Sequence, residues 1–139
     1  MSGADLNKQA RYLVGYFVAA MLYNVAWIIG REFAEFDAIA GGNPFASMLF
    51  LQVVWPIYWL AKQRYYSGVI ILSLPLAVLL FSRGIGPHIE RYVTGDMGMY
   101  HHVVWWVLAL IVNVGGMLAL LLCALRALQL RKAPRAAVN

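Results

Sequence analysis

Charge is what this sequence has least of. Asp, Glu, Lys and Arg make up 12% of its 139 residues, about half the roughly 25% typical of soluble domains. A soluble chain this small has a large surface for its volume, and so few charges would leave that surface apolar and prone to aggregation. Cysteine is nearly absent as well. Cys123 stands alone in an apolar run, which excludes a disulfide framework and a multi-cysteine metal site. No G-x-S-x-G nucleophile elbow, phosphate-binding glycine loop or C-x-x-C-H haem attachment sequence occurs. The formal charge of +5 does not indicate nucleic acid, because the basic residues form no stripe interleaved with aromatics.

Apolar residues, at 63%, are present in excess, and they fall into four runs at about residues 10–30, 44–61, 66–82 and 100–125. A helix crosses the hydrocarbon with about 20 residues, within a range of roughly 17–25. Irregular backbone cannot face lipid, and the alternation of barrel strands is missing. The fold expected is therefore an all-α membrane protein: a single domain, 1–139, of four transmembrane helices in an antiparallel bundle, followed by a basic tail at 126–139. The basic link at 62–65 makes the second and third spans a hairpin, while the segment 83–99 reads as a long glycine-rich loop.

Orientation follows from Lys and Arg, which are retained on the cytoplasmic side of span ends. Lys8, Arg11, Lys62, Arg64, Arg126, Arg131, Lys132 and Arg135 are eight of the eleven, and Arg31, Arg83 and Arg91 are the remainder. Both termini are expected inside, in a bacterial inner membrane. Aromatic residues fall at both expected boundaries, including Tyr58, Trp59, Tyr65 and Tyr66 at one and Trp27, Tyr92, Trp105 and Trp106 at the other. Ala38-Ile39-Ala40 has the small-residue pattern of a signal-peptide cleavage site, but the apolar run before it is too long and a polar stretch separates the two.

Polar residues inside spans are informative because they cost free energy unless paired. Asn24, Gln52, Ser73 and Asn113 lie well inside, and no charged side chain does. Interhelical hydrogen bonding is their ordinary role. Pro56 and Pro75 interrupt the middle spans and free backbone carbonyls one turn earlier. Gly115, Gly116 and Ala119 form a small-xxx-small step suited to close helix packing or a homodimer. Tyr12, Tyr16, Tyr23 and Trp27 recur at helical spacing; of these, Tyr16, Tyr23 and Trp27 are candidates to hold a flat lipophilic cofactor such as a quinone or carotenoid, with packing as the alternative role.

The residues able to act as acid, base or ligand collect on the outward side. Glu32, Glu35, His88 and His101 are the catalytic candidates there, and His88, His101, His102 and Glu35 are the candidates for a transition metal, since imidazole and carboxylate suit zinc, iron or nickel. Adjacent His101 and His102 diverge by about 100° on a helix, so only one can face a shared centre. Arg31 is placed to pair with Glu35 one turn on, which would leave the helix end solvated and self-paired. His88 and His101 are also the pair available for a bis-histidine haem.

In size and span number the chain resembles the small multidrug exporters. Those proteins carry a membrane-embedded glutamate in their first helix, whereas the first span here holds Asn24. The functional expectation is a small polytopic protein acting in binding, transport or assembly, as a homo-oligomer or a subunit of a larger membrane complex, with the bilayer and a lipophilic small molecule as partners. A membrane-embedded enzyme or metal or haem protein is the alternative, and a toxin-immunity protein a second one. No motif selects a cofactor.

Overall fold

The computed structural model describes residues 4–33, 43–98 and 100–132. All regular structure among them is helical, and four helices are long and apolar enough to span a membrane. The first is α1 (Ala4–Phe33). The second is made of α2 (Pro44–Leu51) and α3 (Val54–Lys62). The third runs from α4 (Tyr66–Leu79) through a π-helical segment (Leu80–Ile85) into α5 (Gly86–Thr94). The fourth is α6 (Val103–Lys132).

Local chemistry explains the boundaries. Asn43 caps α2, its side-chain oxygen accepting from the N–H groups of Phe45 at 2.9 Å and Ala46 at 3.3 Å, and Pro44 fills the first turn, where its missing donor costs nothing. Pro56 cannot donate to the carbonyl of Gln52. That carbonyl instead accepts from Trp55 at 3.1 Å, and the chain tightens into i to i+3 bonds at the junction of α2 and α3. The turn after α3 closes with Tyr65 N–H on Leu60 O at 3.0 Å and Arg64 N–H on Ala61 O at 3.1 Å, a Schellman arrangement in which Arg64, at φ 56°, occupies the left-handed position usually held by glycine.

The segment expected to be a loop at 83–99 is helical as far as Thr94, and this corrects the earlier boundary of the third span at Ser82. Its glycines and proline act as helix signals. Pro87 lies in the first turn of α5, and Gly95, at φ 76°, supplies the left-handed residue that ends it. Consequently Arg83 lies inside a continuous helix, as do Glu90 and Arg91. Ile89, Tyr92 and Val93 form an exposed apolar strip on α5.

Buried positions on α1 follow a 3-4 spacing, Leu6, Ala10, Leu13, Ala20, Asn24 and Trp27, and α6 buries Ala109, Gly116, Leu120, Cys123 and Ala127 at the same period. Many are small, which lets helix backbones approach when lipid supplies no hydrophobic drive for association. A Cβ on Gly116 would lie within the ring of Tyr16, so this glycine serves the contact of α1 with α6; Gly115 next to it meets nothing within 4 Å. Outward residues such as Leu22, Leu49, Ile71 and Ile111 are exposed, the pattern of a bundle whose solvent is lipid.

Packing is uneven along the bundle. At the end holding the 63–65 turn, Leu6, Leu13, Ile57, Val69 and Leu120 form a solid core. At the opposite end the buried hydrophobic cluster is Trp27 and Tyr100, with Tyr23, Trp105 and Trp106 against them, and the space beneath is hollow.

Candidate functional site

The hollow is a cavity of about 420 Å³, within the roughly 300–1,000 Å³ of small-molecule sites. From α1 it takes Tyr16, Ala20, Tyr23, Asn24 and Trp27, and from α2 it takes Ala46, Ser47, Phe50 and Leu51. Leu79, Leu80, Arg83, Gly84 and His88 come from the third helix, and Ala109, Val112 and Asn113 from α6.

The π-helical segment shapes one wall. Pro87 has no N–H for the carbonyl of Arg83, and the helix widens so that Gly86 N–H reaches back to Phe81 O. Such widened turns occur frequently at functional sites. Where α6 meets this segment Asn113 donates its amide to Gly84 O at 3.2 Å, and Gly84 is required for the approach, since a Cβ there would stand 2.8 Å from Asn113 Oδ1. Asn24, buried on the opposite wall, donates to Ala20 O at 2.7 Å. Each asparagine thus commits one amide hydrogen to the backbone and keeps another.

An aromatic cap closes the end. His88 Nδ1 is hydrogen-bonded to the Tyr100 hydroxyl, Trp106 donates to His88 O at 2.8 Å, and Tyr23 donates to Trp105 O at 3.3 Å. Tyr92 stacks on Trp106 with centroids 4.8 Å apart. These contacts join α1, α5, α6 and the 95–102 connection around a buried imidazole.

Among the described residues one side is open. α3 packs on α4 beside their tight turn, but the main partner of α2 is α1, so beyond the Pro56 kink α2 leaves the π segment unpacked on that side. The exposed lining residues, Ala46, Ser47, Leu79 and Arg83, border this gap. Arg83 is the only formally charged lining residue and has no carboxylate within 4.0 Å among the described residues. Ionisable side chains within membrane-spanning helices are rare and usually face the bundle interior or a cavity. Arg83 lines the cavity in this way.

Of the residues singled out from the sequence, Tyr16, Tyr23, Trp27 and His88 meet in this cavity, whereas Tyr12 lies in a shallow groove between α1 and α6. Glu32, His101 and His102 are exposed and outside the lining. Glu32 lies 3.9 Å from Arg31, and His102 Nδ1 accepts from Val104 N–H at 3.2 Å at the start of α6. Glu35 lies outside the described residues. Among the described residues no group of three or more His, Cys, Asp or Glu is placed to hold a metal. Arg83 and Gly84 were missed as site residues because their charge and flexibility read as the end of a span; the recoverable signal was Pro87, which can begin a helix as well as break one.

No protein-family model, curated protein or solved structure matches the chain. The cavity itself therefore carries the functional reading.

Proposed function

We propose that the chain is an antiparallel four-span bundle of the inner membrane, with both termini in the cytoplasm, that binds a small lipophilic molecule in its outer half and serves its transport or presentation. The observation that carries this reading is the cavity: mostly apolar, capped by aromatics at one end, provided with a few convergent polar groups, and open sideways between the second and third helices. Such a mix is characteristic of ligand sites, where apolar surface supplies affinity and a few polar groups fix orientation. The orientation rests on the Lys and Arg count, eight against three. In that orientation the cavity opens at the level of the outer leaflet.

Photolabelling in nanodiscs tests the proposal, using alkyl diazirine probes and mapping the labelled residues by mass spectrometry. Label concentrated on Ala20, Leu80, Ala109 and Val112 is the expected result. Label spread over Leu22, Ile71 and Ile111 at the level of any lipid-facing surface would refute the site.

A further inference from the structure

We propose that the ligand is an anionic amphiphile, a carboxylate or phosphate head on a hydrocarbon chain, with the head held by Arg83 and Asn113 and the chain leaving through the gap beside α2. This rests on the cavity being a ligand site, as proposed above, and adds the chemistry of the occupant.

Charge points to an anion first. Among the described residues Arg83 is the single ionised group on the wall, and no Asp or Glu lines it. At a helical rise of about 1.5 Å per residue, Arg83 stands roughly 26 Å along the third helix from Tyr66. That is close to the far edge of a hydrocarbon layer about 30 Å thick. A lipid-borne head arrives at this depth while its chain stays in the leaflet.

Donors point the same way. Asn24 and Asn113 each retain an amide hydrogen after their backbone bonds. The bond between His88 Nδ1 and the Tyr100 hydroxyl leaves Nε2 as the other ring nitrogen of a residue that lines the cavity. When the hydroxyl donates, Nε2 carries the hydrogen. The wall therefore offers a guanidinium and several N–H groups, with no competing carboxylate among the described residues. Hydrogen bonds from such a set to an ionised acceptor are roughly twice as strong as neutral ones.

Shape accounts for the chain. Phe50, Leu79 and Leu80 line the way from the polar wall to the gap, and Leu79 and Arg83 are exposed at its border. The head enters sideways, without crossing the aromatic cap.

Matched photoprobes in phosphatidylcholine nanodiscs provide the test: a diazirine palmitic acid, the corresponding palmityl alcohol, and a phosphatidylglycerol bearing the same diazirine chain. The acid or the phosphatidylglycerol should label cavity residues at least about tenfold more than the alcohol (a factor equal to about 1.4 kcal/mol). Arg83→Gln should bring that labelling down to the alcohol level, while Arg83→Lys, which keeps the charge, should retain most of the preference. The acid dominating identifies a free single-chain anion, and the phosphatidylglycerol dominating identifies a bilayer lipid; both support an anionic head. Equal labelling by acid and alcohol overturns the assignment and leaves the cavity as a site for neutral ligands, and a preference that survives Arg83→Gln overturns it by removing Arg83 as the partner of the head. If no probe labels the cavity, the binding reading fails, and the inference fails with it.

Discussion

Gly115 and Gly116 are adjacent on α6, yet only one of them faces a neighbour, and this makes a stringent test of the packing. Replacing either by alanine brings the same intrinsic gain in helix propensity, about 1 kcal/mol in aqueous hosts. The gain cancels in the difference between the two variants. What remains is the contact: the new methyl at 115 meets nothing within 4 Å, whereas at 116 it overlaps the Tyr16 ring. Overpacking of this kind costs about 1–3 kcal/mol. Gly116→Ala should therefore be less stable than Gly115→Ala by that amount, a shift of roughly five- to 150-fold in the folding equilibrium at 1.4 kcal/mol per factor of ten. The assay is reversible unfolding in mixed micelles by titration with SDS, followed by helical circular dichroism at high dilution. Equal stabilities, or the reverse order, would show that α1 and α6 do not meet through Tyr16 and Gly116. Because Tyr16 also lines the cavity, Gly116→Ala should weaken labelling there as well.

Gly84→Ala should separate α6 from the π segment, because its Cβ would press on Asn113 Oδ1 at 2.8 Å; the overlap costs about 1–3 kcal/mol against a helix-propensity gain of about 1 kcal/mol, so the expected effect in the same titration lies between no change and a loss of about 2 kcal/mol. Asn113→Ala should cost about 0.6 kcal/mol for the lost interhelical hydrogen bond, and a Gly84→Ala variant stabilised by the full propensity gain of about 1 kcal/mol would argue against the close approach. Pro56→Ala restores the donor for Gln52 O and should straighten the second helix toward the third. Spin labels at Ser47 and Ile71 should then show a shorter separation than in the parent, and an unchanged distance would remove Pro56 as the cause of the lateral gap.

The four helices were legible because membrane spanning is a compositional demand: each run is long, apolar and free of acidic residues through its centre. The aromatic side of the cavity was legible too, since Tyr16, Tyr23 and Trp27 recur at spacings that return to one face of α1. The third helix was misread beyond Ser82 for a physical reason. Gly84, Gly86, Pro87 and Gly95 are all turn formers in isolation, but here Pro87 occupies a first helical turn and Gly95 a left-handed cap. The histidines of the outward cluster part company in the fold. His101 and His102 share a segment with His88, but helix geometry buries His88 against Tyr100 and leaves the other two exposed. Asn24 and Asn113 were visible as polar residues in spans, and only tertiary structure places them on facing walls of one cavity.

The most direct test of the account is native mass spectrometry of the chain released from nanodiscs, compared with Ala109→Trp, which fills the cavity from a residue that is only 1% exposed. The parent is expected to retain a single small-molecule adduct per chain, and the variant, still helical and folded, is expected to be bare. A parent that emerges bare, or adducts that distribute statistically and persist in Ala109→Trp, would contradict the central claim that this bundle is built around a ligand.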